Sequence, residues 1–120
     1  MNRDRAIWHT RGTDRTVRVF VRDEDGLPYD LSGCIGYLSV KFRREDAALI
    51  FQKATNVVAE GEIATPESGL MDFYLLAADT ADEDPGSYVY EVQVVTGAGK
   101  RYSVVTLSPF ELEWDVRVIP

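Results

Sequence analysis

Ser87-Tyr88-Val89-Tyr90-Glu91-Val92-Gln93-Val94-Val95, a run rich in β-branched and aromatic residues behind Pro85-Gly86, decides the fold class. Such residues favour extended backbone, and a two-residue period puts Tyr88, Tyr90, Val92 and Val94 on one face. Thr96-Gly97-Ala98-Gly99 supplies a tight connection, and Lys100 to Leu107 reads as the hairpin partner. Pro109 is expected to interrupt that partner. A last strand then alternates Phe110, Leu112, Trp114, Val116 and Val118 against Glu111, Glu113, Asp115 and Arg117.

Upstream of the run the same period recurs. Met71, Phe73 and Leu75 alternate with Asp72 and Tyr74 after the turn Pro66-Glu67-Ser68-Gly69. Leu76 to Glu83 is the only stretch with helical propensity, about two turns at most, and reads as a crossover closed by Pro85-Gly86. Val17, Val19 and Val21 oppose Thr16, Arg18 and Arg22, before a turn at Asp23-Glu24-Asp25-Gly26 and a loop or sheet edge at Pro28. Leu38, Val40 and Phe42 oppose Tyr37, Ser39, Lys41 and Arg43; a short strand is expected from Ala47 to Lys53, and edge pieces at Val57-Val58 and Ile63. About seven strands, one short helical crossover near residues 77–83 and no βαβ rhythm predict an all-β fold, an antiparallel two-sheet β-sandwich, with a small closed barrel as the alternative.

The 120 residues, 45% apolar and 28% charged, suffice for one domain with one core. No apolar run approaches the ~20 residues of a spanning helix, so no membrane partner is expected. Met-Asn-Arg-Asp-Arg-Ala-Ile-Trp-His has no apolar stretch behind its charges, which predicts a chain without a signal peptide, made in a cytoplasm. The net charge of −7 divides unevenly: residues 1–22 carry +4 and the rest −11. An acidic body repels phosphate backbones, so nucleic acid is not an expected partner. The arginines of the first segment are expected to meet acids of their own body or of a neighbouring copy.

Little in the inventory points to catalysis. Cys34 has no partner for an intramolecular disulfide, and its neighbours Gly33, Ile35 and Gly36 offer no base, so it reads as small buried filler. His9, the single histidine, lies between Trp8 and Thr10 with no nucleophile marked out for it. Gly97-Ala98-Gly99-Lys100 joins two strands and precedes no helix, unlike a phosphate loop. Asp23-Glu24-Asp25-Gly26 with Asp30, and Asp82-Glu83-Asp84, hold oxygen ligands but lack the spacing of a calcium loop. No enzyme activity, metal or cofactor is therefore expected.

Residues 15–120 are expected to form the sandwich and residues 1–14 an N-terminal arm or a first edge strand. Arg5, Ile7, Trp8, His9 and Arg11 set two large apolar groups among cations, the composition of an interface hot spot, and are the candidate partner interface. The alternative is that Ile7 and Trp8 fold back as a first strand. Tyr29, Tyr37, Tyr74 and Trp114 could instead furnish a stacking platform for carbohydrate or a cell surface, which requires them to be coplanar and exposed.

Three segments in order carry a family resemblance. They are Val19 to Gly33, with its acidic turn and Pro28-Tyr29-Asp30-Leu31-Ser32-Gly33; Gly69 to Leu75 followed by Ala77-Ala78-Asp79-Thr80-Ala81; and Pro85 to Val94. Together, over residues 16–118, they resemble the immunoglobulin-like N-terminal domain of the phage baseplate upper protein family. The resemblance implies an immunoglobulin-like sandwich in a non-enzymatic virion structural protein of a tailed phage. Such a scaffold or adaptor would sit in the baseplate, tail, neck or capsid exterior and contact other virion proteins and copies of itself.

Overall fold

The computed structural model describes residues 5–115, which form eight strands and one short helix: β1 (Ile7–Thr10), β2 (Arg15–Phe20), β3 (Ile35–Lys41), β4 (Phe51–Ala54), β5 (Gly61–Glu62), β6 (Leu70–Leu75), α1 (Ala77–Thr80), β7 (Gly86–Val95) and β8 (Arg101–Glu113). Two sheets face each other, a five-stranded one in the order β1-β8-β7-β3-β4 and a three-stranded one in the order β2-β6-β5. All pairs are antiparallel except β1 with β8, which run parallel from Ile7 beside Phe110 to Thr10 beside Glu113.

The core lies where the alternation places it. Met71, Phe73 and Leu75 of β6 meet Tyr88, Tyr90, Val92 and Val94 of β7, with Leu38 and Val40 of β3 beside them, all buried. Gly36 marks a close approach of the layers: a Cβ there would meet the Met71 sulfur and, at 3.2 Å, the Phe73 ring. Gly26 has φ +81°, which lets the Asp23–Gly26 turn close without strain.

Several expectations need correction. Pro109 does not break the chain into two strands. β8 runs unbroken through it, with Pro109 opposite Val89 and one residue ahead of the segment that β1 covers, so its missing N–H falls beside an open edge. The β7–β8 register slips between Tyr90 and Val92 and again between Val92 and Gln93, which lets Val105 and Phe110 both turn inward despite their odd spacing. Only Phe51–Ala54 of the 47–53 region is extended, and Val57-Val58 lies in a turn, with Val58 93% exposed. Phe42 falls just past the end of β3 and is exposed, as is Trp114 at 72% past the end of β8; Val116 and Val118 lie outside the described residues.

The helix is a single turn. Asp79 accepts the Leu76 N–H at 2.7 Å and so competes for the role of start signal, and the chain has left helical geometry by Asp82. It is held from outside. Asp14 accepts the Ala77 N–H at 2.7 Å, and the buried Thr80 hydroxyl accepts the Gly12 N–H at 2.9 Å.

Candidate functional site

The two sheets part along one flank, where β1 and β8 of the larger face β2 of the smaller. Among the described residues β2 pairs only with β6, and β8 has β1 beside it only over Phe110–Glu113, so two strand edges have no described partner on this flank. Between them runs a groove of about 710 Å³, continuing into a cleft of about 440 Å³ toward Tyr29 and Tyr102. Its floor is apolar, from Ile7, Val17, Val19 and Val105, and its walls carry Arg5, Arg15, Arg18 and Arg22. Asp23 and Glu24 line only the continuation.

The four arginines are not equally engaged. Arg18 forks onto Asp72, Nε to Oδ1 at 2.8 Å and a terminal nitrogen to Oδ2 at 3.1 Å, and this partner pushes its pKa up. Arg22 lies over the exposed Phe20 ring, 4.5 Å from its centroid. Arg15 donates to the Trp8 carbonyl, and the Arg5 carbonyl accepts from the Tyr90 hydroxyl. Among the described residues, Arg5, Arg15 and Arg22 have no carboxylate within ion-pair distance. Among the described residues the groove thus offers three cations without carboxylate partners over an apolar floor, flanked by strand edges that no described strand pairs.

The structure divides the five candidate interface residues of the sequence. Arg5 and Ile7 line the groove. Trp8 points the other way along β1 and is 60% exposed, while His9 is buried against Phe110, ring centroids 6.0 Å apart. Arg11 pairs with Asp115 at 3.0 Å and lies over the Trp114 ring. A strand period of two sends neighbours to opposite sides, so these five do not make one patch, and His9 is not available to a partner. Arg15, Arg18 and Arg22 complete the groove and were not singled out beforehand. Their signal was present for Arg18 and Arg22 as the polar face of an amphipathic strand and for Arg15 as a charge at its start, but which sheet edge that strand would occupy is a tertiary fact.

The surroundings of His9 favour its neutral form. Burial lowers its pKa most, followed by the charge of Arg15, against an opposing hydrogen bond to the Thr13 backbone and the charge of Asp79. Among the described residues its Nε2 has no hydrogen-bond partner. A lowered folded-state pKa means that the unfolded chain takes up the proton first. His9 therefore costs nothing above the ordinary value of 6.5 and destabilises progressively as pH falls below it. His9→Leu is expected to flatten the decline in Tm between about pH 6.5 and 5, above the range where carboxylates dominate. Identical slopes for the two proteins would show that His9 protonates without penalty.

At the other end of the molecule, where β7 begins, Asp82, Glu83, Asp84 and the exposed Phe42 border a shallow depression of about 410 Å³. The Tyr88 hydroxyl at its edge is pushed up by burial and then by Glu83 and Asp84. The other acidic loop is occupied with its own backbone: Asp23 Oδ1 accepts the N–H groups of Asp25 and Leu27, both at 2.9 Å, and Asp30 caps Ser32. The aromatic platform does not assemble. Tyr37 and Tyr74 lie between buried neighbours on β3 and β6 and so face outward from opposite sheets; Tyr37 has Arg101 over its ring, and Tyr74 bonds Glu62. Cys34 is only half-buried, correcting its reading as buried filler, and burial pushes its thiol pKa up, away from reactivity.

One contact completes the class. The Tyr88 hydroxyl, at the start of β7, donates at 2.6 Å to the carbonyl of Asp84, four residues upstream, at the corner where the chain crosses between sheets. This tyrosine corner, together with the strand order, defines an immunoglobulin-like sandwich. No family model and no curated protein matches the chain. Among solved structures, one titled as murine CRIg aligns over 92% of each chain with 14% identity and a TM-score of 0.42.

Proposed function

We propose that this chain is a non-enzymatic recognition module that works through protein–protein contact, a scaffold or adaptor of a tailed-phage particle. The observation that carries the reading is the arginine groove. Its β2 and β8 edges can accept an extended partner segment by strand addition, its apolar floor can bury alternate side chains of that segment, and its arginines without carboxylate partners among the described residues, Arg5, Arg15 and Arg22, select acidic partners. Cations on an edge strand also discourage pairing with another cationic edge, which suits a surface meant for one kind of partner. The particle as the setting rests on the three resembling segments, Val19 to Gly33, Gly69 to Ala81 and Pro85 to Val94. Particles purified from the phage whose genome carries this chain are expected to contain it by mass spectrometry. The exposed-site variant Arg22→Glu, folded as judged by circular dichroism, is expected to be missing from them. Particles free of the wild-type chain, or equally rich in the variant, would overturn the reading.

A further inference from the structure

We propose that copies of this chain join head to tail, the arginine groove of one receiving the acidic turn Asp82–Asp84 of the next. This rests on the groove being a docking surface, and names its occupant as a second copy.

Charge complementarity within the chain itself is the first argument. Arg5, Arg15 and Arg22 lack carboxylate partners among the described residues, and so do Asp82, Glu83 and Asp84 lack cationic ones. Each set is an unneutralised patch of one sign next to apolar surface, Phe20 and the groove floor on one side, Phe42 on the other. Desolvating one set alone is costly, whereas bringing the two together offsets that cost and adds apolar burial.

Position is the second. The groove lies on the β1/β8 side of the larger sheet, at the level of Tyr90 and Val105, while the acidic depression lies where β7 starts and toward the β3/β4 side, among Phe42 and Ile50. Tyr88 at the depression and Tyr90 at the groove are two residues apart on β7, but the depression opens toward β3/β4 and the groove toward β1/β8, and among the described residues no groove arginine pairs with Asp82, Glu83 or Asp84. Nor can two copies exchange both contacts through one two-fold interface, because the patches do not share a side. Groove against groove would set arginine against arginine. The contact is therefore heterologous, and repeated it closes a ring or extends a filament.

Sedimentation velocity on the full chain tests this. In about 0.1 M salt the wild type is expected to form a concentration-dependent series of oligomers, which dissociates in about 1 M salt as the screening length falls from about 10 Å to about 3 Å. Arg22→Glu and Asp82→Lys/Asp84→Lys, all at exposed positions, are each expected to weaken association by at least about tenfold with unchanged thermal stability. Mixed in equal amounts, the two variants offer one native contact, the arginine groove of the second against Asp82–Asp84 of the first, and one charge-reversed contact, so they are expected to associate where neither does alone. A wild type that stays monomeric, variants that associate like wild type, or a mixture that does not pair would each overturn the proposal. A monomeric wild type that still enters particles in an Arg22-dependent way would sink the head-to-tail contact alone, leaving the docking surface intact.

Discussion

Phe110→Ala is expected to cost about 3–5 kcal/mol, which for a domain of this size lowers Tm by on the order of 15 °C. Phe110 is fully buried and sits at the meeting point of three rings, His9, Phe51 and Tyr90, with centroids 6.0, 6.1 and 6.4 Å away. Truncating it removes the contact that joins β1, β4 and β7 around β8, and leaves a cavity that a strand paired on both sides cannot collapse to fill. Thermal and urea denaturation measure the loss, with Val58→Ala as the control at a side chain that is 93% exposed, expected within about 0.5 kcal/mol of wild type. A Phe110→Ala protein losing less than about 1 kcal/mol would mean that this ring cluster does not hold the core face of the five-stranded sheet.

The second large effect is electrostatic. Lys53 Nζ and Asp79 Oδ2 are 2.7 Å apart, with side-chain exposures of only 6% and 17%, and the pair ties β4 to the α1 crossover. Asp79→Leu leaves an ammonium group without its partner in the more buried of the two positions, and also releases the Leu76 N–H, so a loss of about 3–5 kcal/mol is expected. Lys53→Met is expected to cost less, since the Asp79 carboxylate retains that N–H and some access to water. The double variant should fall well short of the summed losses, because replacing both charges removes the desolvation penalty along with the attraction. Additive losses in the double-mutant cycle would show that the two side chains do not act as a pair.

How much of this was legible beforehand follows from what each residue depends on. Met71-Asp72-Phe73-Tyr74-Leu75 and Tyr88 to Val94 declare their faces in their own order, because both strands lie between neighbours and one side of each is covered throughout. Pro109 misled for a local reason with a non-local answer: proline ends a strand only where its N–H is needed, and the open flank of β8 removes that need. Whether residues 7–10 form an arm or a strand is not encoded locally, since the parallel pairing of β1 joins residues about a hundred positions apart. The groove was half legible. Arg18 and Arg22 are evidently on the wet side of the strand and Arg15 stands at its start, but their convergence with Arg5 requires knowing that β2 ends one sheet where β8, before Phe110, has no described strand beside it.

Tyr90 sits two residues beyond the corner tyrosine, the place where antibody domains put the second cysteine of their inter-sheet bridge. Here that place holds a phenol ring packed edge-on to Phe110, and Cys34 is the sole thiol in the chain. Cohesion between the layers is accordingly indifferent to redox potential: thiol reagents that would loosen a bridged relative find no covalent staple to cut, and refolding involves no search among sulfur pairings.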